Sequence, residues 1–272
     1  MNITFIGGGN MATSLIGGLI ADGYAPQSIT VADINQAQLD NLQQRFQIRT
    51  FTDTVQAVNA ADIVVIAVKP QAVKSVTQQL ATALGQHKVL VISVAAGIRT
   101  ADIGRWLGPD SAIVRAMPNT PALVQCGASA LFATAGVSEE QREQAESILR
   151  ATGIALWVDD EAMMDTVTAL SGSGPAYFFR IMESLEQGAV KLGLPKQTAR
   201  LLILQTAMGA AKMALENPGE IAALRESVTS PGGTTAQGLR VMDEQDIDAL
   251  FEQVLRAAHA RSVELANELG ED

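Results

Sequence analysis

The run Ile3-Thr4-Phe5-Ile6 leads directly into Gly7-Gly8-Gly9-Asn10-Met11-Ala12, and Asn10 to Ala21 then carries Leu15, Ile16, Leu19 and Ile20 on one helical face. An apolar strand, a glycine turn and an amphipathic helix, in that order, constrain the fold more than any other feature of the chain. Gly7 permits the tight turn out of the strand, Gly9 has no side chain to block an approaching diphosphate, and Ala12 lets the helix lie close on the sheet. The helix N-terminus offers unpaired N–H groups and the positive end of its dipole to that diphosphate. The spacing matches the G-x-G-x-x-A dinucleotide fingerprint, and the flanking strand and helix separate it from an ordinary glycine turn. Gly23 reads as the helix stop.

Strand-like runs follow at Ile29 to Ala32, Ile63 to Val68, Val89 to Val94 and Ala112 to Met117, with helical segments between most of them. Several are continuously apolar, which predicts a sheet covered on both faces and hence parallel strands joined by crossover helices. Ala128 to Ala133 and Ile154 to Val158 bracket another helix, opening on Ser138-Glu139-Glu140-Gln141 as a capping box. Beyond Glu161 the strand signals stop. Ala199, Leu202, Ile203, Thr206, Ala207, Ala210, Ala211 and Ala214 recur at helical spacing. The small residues among them suit close helix packing, within a core or across a dimer. The chain has 272 residues, 47% apolar and 18% charged, enough material for two domains. The expected architecture is α/β: a Rossmann-type doubly wound dinucleotide-binding domain over residues 1–160, then an all-helical substrate-binding and dimerisation domain over 161–272.

Lys+Arg 19 against Asp+Glu 29 leaves a net charge of −10, which weighs against nucleic-acid and membrane-surface partners. Cys126 is the single cysteine, so no intrachain disulfide forms, and His87 and His259 stand far apart, so no metal site is expected. The apolar stretch Ile3 to Ile20 lacks a preceding basic segment and is broken by glycines, unlike a secretion signal. Val89 to Ile98 is too short to cross a bilayer. A soluble, cytoplasmic protein is expected.

An acidic residue about 20 positions beyond the glycines is the usual partner of the adenosine ribose, and Asp33 after Val31-Ala32 is well placed for it. A turn or helix-capping role is an even alternative. A carboxylate there favours NADH over NADPH without excluding NADPH. The two histidines read as surface residues, and Lys69 reads equally as catalytic, as a phosphate contact or as a solvated strand end. Reduction of a carbonyl generates an alkoxide that needs an acid. An imine, already electrophilic once protonated, could be served by a hydroxyl near its nitrogen. Ser230-Pro231-Gly232-Gly233-Thr234-Thr235 offers one, with Gly232 and Gly233 exposing N–H groups at a helix start where a small carboxylate could sit. Helix capping is the commoner role for either threonine. Ser171-Gly172-Ser173-Gly174-Pro175 could bring substrate close or simply restart a helix.

Gly7-Gly8-Gly9-Asn10-Met11, Ala67-Val68-Lys69-Pro70, Ala95-Ala96-Gly97, Met117-Pro118-Asn119-Thr120-Pro121, Leu170-Ser171-Gly172-Ser173-Gly174-Pro175-Ala176-Tyr177 and Ser230 to Thr235 occur in order along nearly the whole chain. Together they resemble pyrroline-5-carboxylate reductases, and the last two motifs are the most specific. The resemblance implies NAD(P)H-dependent reduction of L-1-pyrroline-5-carboxylate to L-proline, the final step of proline biosynthesis. It implies that Ile6, Gly7, Gly8, Gly9, Asn10 and Met11, with Ala67, Val68, Lys69, Pro70, Val94, Ala95 and Ala96, hold the dinucleotide. It further implies that Gly233 and Thr234 grip the substrate carboxylate, that Thr235 bonds the ring nitrogen, and that Glu161 and Ser227 line the same site. The family often has Asn where this chain has Ser227. Members with NADPH preference often carry Ser, Thr, Asn or Arg where this chain has Asp33-Ile34-Asn35. Family members pair through interlocked helical domains, with ligand sites at the dimer interface, and several form decamers.

Two rival readings differ in what they require. A related hydroxy-acid dehydrogenase needs a well-placed lysine in the helical part, where Lys191, Lys196 and Lys212 are available. A non-catalytic dinucleotide-sensing dimer needs no second carboxylate pocket, which the Ser230 to Thr235 loop offers.

Overall fold

In the computed structural model, which describes residues 1–85, 89–108 and 110–270, one sheet collects eight strands. The first elements are β1 (Ile3–Ile6), α1 (Asn10–Ala21), β2 (Ile29–Ala32), α2 (Gln36–Phe46), β3 (Arg49–Phe51), α3 (Thr54–Ala57), β4 (Ile63–Ile66) and α4 (Pro70–Leu84). They are followed by β5 (Leu90–Ser93), α5 (Thr100–Leu107), β6 (Ala112–Met117), β7 (Gly127–Ala133), α6 (Glu139–Arg150), β8 (Gly153–Trp157) and α7 (Met163–Val167). The helical remainder comprises α8 (Gly174–Lys191), α9 (Lys196–Glu216), α10 (Ile221–Ser227), α11 (Thr234–Glu244) and α12 (Ile247–Gly270). The capping box at Ser138 and Gln141 closes in both directions.

The strand order is β3-β2-β1-β4-β5-β6-β7-β8, so the direction of winding reverses between β1 and β4. The apolar strands are buried on both faces because successive residues serve two separate cores. Ile63 and Val65 join a cluster with Ala12, Leu15 and Ile16 of α1, Leu39 and Leu42 of α2, and Ile148 and Leu149 of α6. Val64 and Ile66 point the other way, into Ala57, Val73, Leu80 and Ile103 from α3, α4 and α5. This period-two division is the physical content of double winding.

The sheet departs from the all-parallel expectation at one step. β6 and β7 pair antiparallel, with Met117 opposite Ala130. Residues 118–126, which link them, are too few for a crossover; a parallel return needs roughly a dozen or more. β7 and β8 are parallel again, bridged by α6. β3, three residues long and partly exposed, carries no periodic signal and is not among the strands expected from sequence.

The chain forms two compact units, one of Met1–Ser173 together with Ala257 onward, the other Gly174–Arg256. The composition change near residue 160 therefore marks where strands end, and compactness follows other contacts. Asn119 Nδ2 donates to Ser171 O at 3.1 Å, tying the segment after α7 to the sheet. From the far end of α12, Ser262 Oγ donates to Asp165 Oδ1 at 2.7 Å, both side chains buried. Arg99 reaches Asn267 at 2.8 Å and Arg105 reaches Gly270 O at 2.6 Å, while Leu269 packs against the second core.

In the helical unit, α8 ends in a Schellman turn, with Leu194 N–H donating to Ala189 O and Gly193 N–H to Val190 O. The short link to α9 makes the two helices neighbours. On their surfaces Phe178, Phe179, Leu201, Leu202 and Met208 are exposed, Phe179 at 65%. An apolar surface of this kind, exposed on a single copy of the chain, marks an association face.

Candidate active site

The expected dinucleotide residues converge at the carboxyl ends of the strands on either side of the winding reversal, where ligands of such sheets bind. Ile6 closes β1, fully within the core. Gly7 N–H donates to Ala32 O of β2 at 2.7 Å and Ala67 N–H to Ile6 O at 2.8 Å. Val94 N–H donates to Ile66 O at 3.0 Å, so the ends of β2, β1, β4 and β5 are stitched in sequence. Gly7 has φ +100°, and a Cβ on it would stand 2.6 Å from Ala67 O, so only glycine fits. Gly9 is the opposite case. A Cβ there would meet nothing within 4 Å, and as N-cap of α1 it leaves the helix without a side-chain cap. The N–H groups of Asn10, Met11 and their neighbours at that terminus are thus offered to an anion. Uncapped donors, an open approach at Gly9 and a closed back wall at Gly7 fit a dinucleotide diphosphate.

Asp33 is not the helix cap. Asn35 caps α2, accepting from Gln38 N–H. The Asp33 carboxylate spans the loop instead, with Oδ2 accepting from Gly8 N–H at 2.6 Å and Oδ1 from Asn35 N–H at 2.9 Å. Gln38 Nε2 donates to Gly8 O, and Leu42 packs beneath Gly8, so this glycine is held through its carbonyl by α2 and through its N–H by the Asp33 carboxylate ahead of that helix. Nothing in the sequence marks Gln38, because a glutamine thirty residues from the turn carries no local signal. Lys69 is exposed at the N-cap of α4 with Pro70 as the first helical residue, and Val68 is half-buried beside it. Ala95 is buried, with its N–H on Ser93 Oγ, while Val94 and Ala96 are half-buried in the turn that follows β5.

Glu161 belongs to this same unit. Oε1 accepts from Thr100 N–H at 2.8 Å and from Arg115 Nη1 at 3.1 Å, and Oε2 accepts from the Thr100 hydroxyl at 2.6 Å. Residues 168–172 wind as a π-turn, held from outside by the Asn119 bond, with Met117 lying where a Gly172 side chain would be. π-turns interrupt α-helices most often near functional sites. Asn119 Oδ1 also accepts from Ala128 N–H at 2.9 Å. The Ser171 to Pro175 motif therefore both bends the chain and restarts it as α8 from Gly174.

The remaining candidates lie in the helical unit. Gly232 has φ +71°, Gly233 is the N-cap of α11, and Thr234 and Thr235 are its first two residues. Neither threonine caps the helix, since α11 has no side-chain cap. Both are exposed, and this terminus, like that of α1, has no side-chain partner for its N–H groups. Ser227, at the end of α10, spends its hydroxyl on Leu224 O at 2.7 Å. His259 is half-buried in α12, Cys126 is exposed, and His87 lies outside the described residues. A cavity of about 1130 Å³ opens at the opposite, amino-terminal edge of the sheet, around Asp62, Val89 and Ala112, away from every candidate residue.

Comparison with known proteins bears on both units. The family described as "Pyrroline-5-carboxylate reductase dimerisation" matches residues 161–265, and "NADP oxidoreductase coenzyme F420-dependent" matches residues 2–97. The chain is 51% identical over 269 residues to a pyrroline-5-carboxylate reductase of Pseudomonas aeruginosa, covering 99% of this chain and 98% of that protein. Its structure is similar to that of a pyrroline-5-carboxylate reductase from Coxiella burnetii, with TM-score 0.94, 49% identity, and coverage of 97% and 98%. A pyrroline carboxylate reductase from Plasmodium falciparum with NADP bound superposes at TM-score 0.86 with 26% identity, covering 98% of each chain. No helix among the described residues is long and apolar enough to cross a membrane.

Proposed function

The chain belongs to the pyrroline-5-carboxylate reductase family, and from that premise we propose how its residues reduce L-1-pyrroline-5-carboxylate to L-proline, the last step of proline biosynthesis. The observation that carries the reading is the uncapped α1 terminus behind an open Gly9. Bound there, NAD(P)H supplies the hydride. Asn10 and Met11 offer the diphosphate backbone N–H groups at the α1 terminus, Gly9 leaves it room, Gly7 and Gly8 shape the turn beneath it, and Asp33 faces the adenosine ribose. Ala67 to Pro70 and Val94 to Ala96 flank the dinucleotide at the ends of β4 and β5.

The substrate carboxylate is held by the N–H groups at the start of α11, where Gly232 turns the chain and Gly233 and Thr234 present donors to an anion. Thr235 aims its hydroxyl at the ring nitrogen, orienting or protonating it, while C5 accepts hydride. The product amine carries no oxyanion, which removes the need for a histidine or lysine acid. Residues 161–272 serve substrate binding and pairing, in keeping with the match to the dimerisation family from residue 161. Two copies pair through the exposed apolar surfaces of α8 and α9. A cytoplasmic location accords with the single exposed Cys126.

The test is oxidation of NADH or NADPH, followed spectrophotometrically, with the cyclic imine as acceptor. Thr235→Ala is expected to cut turnover by about 10²-fold, the scale of one positioned acid, with dinucleotide affinity retained. Unchanged turnover removes Thr235 from the mechanism.

A further inference from the structure

Glu161 matches a family position lining the substrate site, yet its surroundings assign it other work. Its carboxylate oxygens are committed to three donors, and the substrate it would face is itself a carboxylate, which a like charge repels. Arg115, whose side chain is 3% exposed, has Glu161 as its ion-pair partner. A buried guanidinium loses its water and must be paired, so it anchors the glutamate firmly. Arg115 stands on β6 directly beside Ser93, the last residue of β5.

The other two donors belong to Thr100, the first residue of α5, whose N-cap Arg99 provides no side-chain cap. Glu161, 61 residues further on, fills that vacancy from outside the helix. The turn from Val94 to Arg99 is thereby pinned at both ends. At its start Val94 N–H is bonded to β4, and at its end Thr100 is bonded to Glu161.

We propose that Glu161 is a positioning residue: with Arg115 as its anchor, it fixes the Val94–Ala96 turn against the dinucleotide and does not bind the substrate. The inference rests on the reading that Val94 to Ala96 touch the dinucleotide.

The test pairs equilibrium binding of NADP⁺ by isothermal titration with Michaelis constants for the imine. Thr100→Val removes one donor to Glu161 and keeps the helix; Glu161→Gln removes the charge. Both are expected to weaken NADP⁺ binding by about tenfold, the order of one charge-assisted hydrogen bond, with the imine KM unchanged. Thr100→Ser, which keeps the hydroxyl, is expected to restore wild-type binding. If Glu161→Gln fails to fold because Arg115 is left unpaired, Thr100→Val decides alone. A raised imine KM with unaltered NADP⁺ affinity places Glu161 on the substrate and overturns the proposal; so does a folded Thr100→Val that binds and turns over normally. Ala96→Leu separates the two claims. If it leaves NADP⁺ binding intact, the reading of the turn itself has failed. If it weakens binding while Thr100→Val does not, only the positioning role has failed.

Discussion

Replacing Gly9 by serine should move stability and cofactor affinity in opposite directions. Gly9 has φ −68° and ψ −173°, a conformation any residue adopts, and its Cβ would meet nothing within 4 Å. Serine is a better N-cap than glycine by a few tenths of a kcal/mol, because its hydroxyl accepts from the second or third helical N–H. The folded protein should therefore be unchanged or more stable by about 0.3 kcal/mol. The same hydroxyl occupies the space, and takes the donor, that the diphosphate requires. One lost hydrogen bond to a charged group is worth about 1.5–3 kcal/mol, so affinity should fall by roughly tenfold to a hundredfold. Gly7→Ala is the contrasting control. Its φ of +100° and the 2.6 Å approach to Ala67 O force backbone movement, with a loss of about 2–4 kcal/mol in stability. Urea unfolding and isothermal titration with NADP⁺ on both variants make the comparison. A Gly9→Ser protein that binds NADP⁺ like the parent, or unfolds as easily as Gly7→Ala, refutes the reasoning.

Three further outcomes follow from other contacts. Asp33→Ser removes the carboxylate proposed to face the adenosine ribose, and the ratio of kcat/KM for NADPH over NADH should rise by about tenfold; a constant ratio would show that discrimination lies elsewhere. Ser262→Ala strips the buried Asp165 of its hydroxyl partner and should lower the unfolding free energy by about 1–3 kcal/mol, read by urea titration. Met208→Glu puts a charge on the exposed apolar face of α9 and should shift sedimentation from dimer toward monomer, with activity falling in step.

The dinucleotide half of the molecule was readable because its logic is local. Four residues of β1, the glycine turn and the face of α1 are contiguous, and continuous apolar runs such as Ile63 to Ile66 announce a sheet covered on both sides. What the chain hides is long-range. Arg115 looks like an ordinary charge within a strand, and Glu161 looks like part of an acidic turn. Nothing near either signals that they meet across 46 residues or that the pair caps α5. Asp33 follows β2, as its spacing from the glycines implies, but its grip on Gly8 N–H depends on how closely β2 and the glycine turn approach. The antiparallel entry of β7 was legible only in the shortness of residues 118–126. The exposed surface of α9 has the same spacing as a core helix, so periodicity alone could not tell a buried face from an association face.

The return of the last helix to the sheet has a consequence for how the protein is made and cut. Ser262, Asn267 and Leu269 are synthesised after the whole of Gly174–Arg256, so Asp165 and Arg99 wait for partners that arrive last. A fragment ending near residue 173 would expose those side chains along with the apolar patch that Leu269 covers. The nucleotide-binding half is therefore better isolated by grafting residues 257–270 back onto it than by truncation.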